Sequence, residues 1–431
     1  MKQAGSNKLR RTICIALIFV MSLIFMYAGH FLFEEKRNAG NELDQNASGG
    51  TLTTEGSESN ESTSVPMVNP VKYSHRSEMV NGVKQEIHIL EVDLENPGVR
   101  VQPILSHDLI YGFEYLSVMA ERKNAYAAVT GGFFHDFGLP SGMVVIGGEL
   151  ISTATGRYPV FLVENGKAAL REIESKLTIY YGPENGKGNS EIENSGENGN
   201  DGSSSSGDGA GSGFLPVDKF NFPSGNKEVA VYTPVYGKYN RADKKNITVT
   251  VEAGVVTKIA DYTGEAEIPQ NGMLISFFDT ARYAGVELPI KLGDSVQLSH
   301  QPSIGEHTDA YECGSWLVRN GESVVPLKDA WVGVLTNRDP RTAIGIREDG
   351  TVLLLVVDGR QPGYSAGFTG QELAEYLISC GVKDAAMLDG GASAEMLVGG
   401  KLVSRPSHKE EERPLGGGVL VLLDQETSTP D

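Results

Sequence analysis

Past residue 72 the apolar residues fall mostly into short runs that alternate with polar ones, the period of a half-buried strand. "IHILEVDL" (87–94) and "VRVQPIL" (99–105) are two such runs, broken by Asn96, Pro97 and Gly98, a turn signal. A short helix is predicted over about 114–123, leading into "AYAAVTGGFF" (125–134). Further strands are predicted at "MVVIGG" (143–148), "YPVFLVENG" (158–166), "ITVTVEAGVVTKIA" (247–260), "GMLISFF" (272–278), "SVQLS" (295–299) and "SWLVRNG" (315–321). The pattern changes near the C-terminus. "TVLLLVVDG" (351–359) is continuously apolar, as expected of a strand buried on both faces. "TGQELAEYLISCG" (369–381) opens with a capping box, Thr369 and Glu372. It carries Leu373, Tyr376, Leu377 and Cys380 at helical spacing and stops at Gly381. "AAML" (385–388) is a second short strand. Strand, helix and strand of these lengths predict a βαβ unit with parallel strands and a right-handed crossover. The fold class read from the whole pattern is α+β, a large mixed β-sheet body with flanking helices and a C-terminal βαβ unit.

That unit has a chemical consequence. Asp358 and Asp389, each followed by glycine, would leave the same carboxyl edge of one sheet, the edge at which open α/β sheets bind ligands. Neighbouring strands would hold them roughly 5 Å apart, and one intervening strand roughly 10 Å. Asp-Gly at a strand end is also ordinary turn chemistry. The loop "GRQPGYSAG" (359–367) brings Arg360, Gln361 and Ser365 to the same edge, with backbone donors suited to an anion or a sugar. "DPRTAIG" (339–345) sets Arg341 before a strand, and "SRPSHKEEERPLGGG" (404–418) adds Arg413. In "TGGFFHDFGLPSG" (130–142), Thr130, Gly131 and Gly132 are candidates for ligand contact, while Phe133 and Phe134 suit either a core or a sugar face.

The N-terminus is of another kind. Lys2, Lys8, Arg10 and Arg11 precede an apolar run from Ile13 to Phe33, and about 20 such residues span a bilayer. The reading is a cytoplasmic segment 1–11 and a single transmembrane signal anchor over 12–33, with a cleaved signal peptide as the alternative. A polar linker follows over 34–72, then one domain over 73–424 and a tail over 425–431. The low-complexity stretch 184–213 is read as an insertion within that domain. The body is therefore expected outside the cytoplasm, held at the cell membrane by the N-terminal helix.

Composition removes some functions. A formal charge of -19 argues against a nucleic-acid surface. Eight scattered histidines include no H-x-H or H-E-x-x-H, so no cofactor is predicted, although an oxygen-ligated Mg²⁺ or Ca²⁺ site stays open. Cys313 and Cys380 either pair in an oxidising compartment or stand as buried thiols. No feature sets an oligomeric state.

"YAAVTGGFF", "VAVYTPVYG", "PRTAIGI", "VVDGRQPGYSAG" and "LDGGASAEM" occur in this order and, with "VDLENPGVRV", resemble the phosphodiester glycosidase family over roughly 80–424. The resemblance implies hydrolysis of a sugar-1-phosphodiester at its anomeric carbon, with a phosphate-linked glycan as substrate. It also implies that Arg341, Asp358, Arg360, Ser365, Asp389, Gly390, Gly391 and Ser393 belong to the site. Asp389 is then the expected nucleophile or base and Asp358 the second carboxylate. Glu395 is a third candidate, and Arg341 and Arg360 would hold the phosphate. Thr130 stands where the family commonly has Asn, and "GGASA" (390–394) where it has "GGGSS". A metal-dependent phosphodiesterase and a non-catalytic polysaccharide-binding module are the rival readings.

Overall fold

The computed structural model describes residues 69–183 and 212–424. At their centre is a seven-stranded sheet. Its order is Val71–Val80, Val83–Val92, Val352–Val357, Arg341–Arg347, Val382–Leu388, Trp316–Arg319 and Glu322–Ser323. Every neighbouring pair in it is antiparallel. Alternation decides what each face meets. Leu353, Leu355 and Val357 point with Ala343, Ala385 and Met387 to one side, where they pack against Leu373, Ala374 and Leu377 of helix Gly370–Ser379. Leu354 and Val356 point with Ile344, Ala386 and Leu388 to the other side. A strand buried on both faces has no polar positions to alternate with, hence the unbroken apolar run.

The second face of this sheet is covered by other sheets. One core joins its residues to Val101, Val129, Met396, Val419 and Val421 of a five-stranded sheet. That sheet runs Lys401–Leu402, Met396–Val398, Ala127–Thr130, Gly417–Leu423 and Val99–Leu105. The same core takes in Phe161 and Tyr311 from a second five-stranded sheet and Tyr232 and Leu274 from an eight-stranded one.

The α+β expectation is therefore corrected. The described residues are 48% strand and 9% helix, with two helices, Leu116–Arg122 and Gly370–Ser379, among them. Several sheets replace the single large mixed sheet, because a helix covers only one face of the central sheet and other sheets cover the second. The βαβ expectation changes with it. Val352–Val357 and Val382–Leu388 do not pair; Arg341–Arg347 lies between them, antiparallel to both. They still run in the same direction, so Asp358 and Asp389 leave the same edge, one strand apart. The capping box at Thr369 and Glu372 is present.

The transmembrane span expected over 12–33 lies outside the described residues. Among the described residues no helix is long and apolar enough to cross a membrane. The stretch 184–211 is also outside them. Strands Lys176–Pro183 and Gly213–Pro216 on its two sides pair antiparallel, Tyr181 opposite Gly213. Cys313 and Cys380 are unpaired thiols, and burial pushes both up, Cys313 to about 12.

Candidate active site

A cavity of about 470 Å³ opens at the edge where Val382–Leu388 ends. Asp389, Gly390, Gly391, Ala392 and Ser393 form one wall. Asp339, Arg341 and Arg360 form another, and Phe133, Phe134, Trp331, Val332 and Arg413 close the rest.

The Asp389 wall is held by backbone bonds. The Asp389 N–H donates to the Gly131 carbonyl at 2.9 Å, and the Gly391 N–H to the Pro340 carbonyl at 2.8 Å. Gly391 has φ 59°, and a Cβ there would stand 3.2 Å from the Arg360 guanidinium. This turn needs glycine both for its left-handed backbone and for the close approach of a cation. Thr130 is buried and fastens the far side: its hydroxyl donates to the Ser393 carbonyl and accepts from the Glu395 N–H. Gly131 and Gly132 line no part of the cavity. At Gly132 a Cβ would stand 2.5 Å from the Tyr311 ring, so the pair serves packing.

Burial raises the Asp389 carboxyl to about 6, against the downward pull of the Ser393 hydroxyl, the Arg413 charge and the Gly390 N–H. Glu395 is fully buried and is pushed further, to about 8, again by burial. One of its oxygens accepts from the Arg413 N–H at 2.7 Å, and the other, Oε2, has no partner. Glu395 sits behind the cavity wall rather than in it.

Arg341 is buried and fixed, donating through Nε to the Phe368 carbonyl at 3.0 Å and through Nη2 to the Asn337 carbonyl at 2.9 Å. Arg360 holds φ 58° and donates through Nε to Asp339 at 2.9 Å. Asp339 also lies 3.8 Å from Arg341, so one carboxylate spaces two guanidinium groups. The sequence reading passed over Asp339, although it stands two residues before Arg341.

Asp358 is placed differently. It is 1% exposed and lines no part of this cavity. Tyr364 donates to it at 3.1 Å, the Arg405 N–H at 2.9 and 3.0 Å, and His88 Nε2 at 3.2 Å. Ser365 and Gln361 support this turn. The Ser365 hydroxyl donates to the Asp358 carbonyl at 2.5 Å, and the Gln361 amide to the Arg405 carbonyl at 2.8 Å. The structure thus gathers Asp389, Gly390, Gly391, Ser393, Arg341, Arg360 and Arg413 around one space. It sets Asp358, Ser365, Gln361, Glu395, Thr130, Gly131 and Gly132 in the supporting layer.

Two neighbouring aromatics line the cavity. Phe133 is 5% exposed, packs into the core and stacks on the ring of Trp331 at 5.7 Å, with Phe134 beside it on the same lining. Trp331, brought in by the hairpin of Lys328–Asp329 and Gly333–Val334, carried no periodic signal in the sequence. Among the described residues no three His, Cys, Asp or Glu side chains are grouped to hold a metal ion.

Residues 245–422 match the model of the phosphodiester glycosidase family, in agreement with the motif resemblance. A prophage-derived uncharacterized protein of Bacillus subtilis is 26% identical over 216 residues, 47% of this chain and 33% of that protein. The bovine N-acetylglucosamine-1-phosphodiester alpha-N-acetylglucosaminidase is 34% identical over 106 residues, 21% of this chain and 19% of that enzyme. The chain thus spans a third or less of the length of these two relatives. A hypothetical protein from Synechocystis shares the fold, with a TM-score of 0.63 at 19% identity, covering 82% of this chain and 62% of that one.

Proposed function

We propose that this chain hydrolyses a sugar-1-phosphodiester at the anomeric carbon within the 470 Å³ cavity. The observation that carries the reading is that Asp389 opens to the same space as three guanidinium-bearing residues, Arg341, Arg360 and Arg413. A phosphodiester leaves as a stable anion, so the reaction asks little of a general acid. It asks for charge on the departing phosphate to be met and for a carboxylate at the carbon. The C1–O bond breaks with its electron pair passing to the phosphoryl oxygen. Arg341 and Arg360, spaced by Asp339, present donors to that oxygen. Asp389 supports the developing positive charge at C1 and takes the proton of the water whose oxygen bonds there. The products are a free sugar and a phosphomonoester.

Asp358 is a positioning residue in this scheme, since its acceptor sites are filled by Tyr364, Arg405 and His88. The family match over 245–422 and the name of the bovine relative support the reaction class. The Lys/Arg-then-apolar N-terminal sequence supports action outside the cytoplasm, on a cell-surface glycan. Hydrolysis of N-acetylglucosamine-1-phosphodiesters in ¹⁸O-water tests the bond cleaved. Label is expected in the released sugar, and label in the phosphomonoester would replace this reading with P–O cleavage.

A further inference from the structure

The cavity continues on two sides. Through Phe134, Trp331 and Arg413 it opens into a groove of about 1290 Å³. Through Arg360 it adjoins a second hollow of about 350 Å³, beside Tyr364, Arg405 and Lys409. A pocket for one small ligand occupies about 300–1,000 Å³, so the groove alone exceeds what a terminal sugar needs.

Its lining has a definite chemistry. Tyr111, Phe113, Phe137 and Phe222 present rings along it. Phe137 is 72% exposed while held at φ 63°, and its carbonyl accepts from the Gly112 N–H at 2.8 Å. An apolar ring kept in water on a strained backbone position is a poor choice for packing and a good one for a sugar face. Two cations line the same groove. The Arg241 guanidinium lies 4.1 Å over Tyr111, and Lys244 donates to Asn226 at 3.3 Å. Neither pairs with a carboxylate among the described residues, in a chain of formal charge -19. Arg241, Lys244 and Arg413 outnumber the two carboxylates on the same lining, Asp136 and Asp243, and rings beside a net cationic wall match an oligomer of sugars and phosphates.

We infer that the substrate is a polymer of sugars joined through phosphodiesters, threaded from the Arg360 side through the cavity into the aromatic groove and cut at an internal linkage. The inference rests on the hydrolytic reading above and names the substrate class for it. The test uses oligomers of N-acetylglucosamine-1-phosphate containing one to six linkages, with phosphate-free chitooligosaccharides of the same length as the neutral control. Expected are a rise in kcat/KM of about tenfold or more from one linkage to four and internal fragments as first products by mass spectrometry. In F137A and R241A the deficit should grow with oligomer length. One-by-one release of terminal sugars, with kcat/KM independent of length, would overturn the inference, as would competition by the neutral control equal to that of the phosphate oligomers. Failure to turn over any linkage would count against the hydrolytic reading instead. Calorimetric affinity, rising with length in wild type and flat in R241A, then decides the groove on its own, and length-independent affinity in wild type overturns it.

Discussion

At the scale of single residues, two buried carboxyls with raised pKa values make opposite predictions about pH. Asp389 works in its ionised form, and its carboxyl sits at about 6. The rate should therefore climb as pH rises through about 6 and level off above it, read as kcat/KM against pH on the single-linkage substrate. Asp389→Asn should lower kcat by about 10²- to 10⁴-fold, the usual share of a positioned acid or base. Substrate affinity should hold, and a variant that keeps its rate would remove Asp389 from the mechanism. Glu395, at about 8, is protonated in the folded chain over a range in which the unfolded chain has it ionised. The folded state then binds the extra proton, so this group's contribution to stability is complete below the unfolded pKa and drains away as pH rises toward 8. Glu395→Gln cannot ionise. Its melting temperature should fall less than that of wild type between pH 5 and pH 8.5. Parallel curves would mean that Glu395 is ionised in the fold.

At the scale of elements, the turn after Val382–Leu388 controls the site. Gly391→Ala places a methyl group on a φ of 59° and 3.2 Å from the Arg360 guanidinium. The backbone term costs about 1–2 kcal/mol. The larger effect should be on Arg360, which must give way, so kcat/KM is expected to fall about tenfold with the circular dichroism unchanged. The same edge shows how much of the site was legible in the sequence. Apolar runs and glycines placed Asp358 and Asp389 at equivalent strand ends. What separates them arrives from elsewhere in the chain. Tyr364, His88 and the Arg405 backbone fill the acceptor sites of Asp358, while the bonds around Asp389 leave it open to the cavity. Strand spacing carries no record of those long-range donors. Period-two alternation found the strands, and the capping box found helix Gly370–Ser379. Neither says whether a sheet face will be covered by a helix or by another sheet, and that is where the α+β expectation failed.

On the scale of the whole molecule, the question is whether the Gly/Ser-rich stretch belongs to the machine or interrupts it. Strands Lys176–Pro183 and Gly213–Pro216 are antiparallel neighbours at the edge of the eight-stranded sheet. Their register sets Tyr180 opposite Phe214 and Tyr181 opposite Gly213, a register that a two-residue turn can continue. Replacing 184–210 with Asn-Gly closes the two strands with a two-residue turn of the type that suits their twist. Closing a shorter loop lowers the entropic cost by about 0.6 kcal/mol for each halving of length. Stability should therefore hold or rise slightly. The described residues supply Asp389, the guanidinium groups and the rings of the cavity and groove, so turnover of the single-linkage substrate should match wild type. Melting temperature and kcat/KM of the shortened chain check both expectations. A folded protein with little activity would make this stretch part of the substrate path, and a protein that fails to fold would mean that the hairpin needs more than its own register to close.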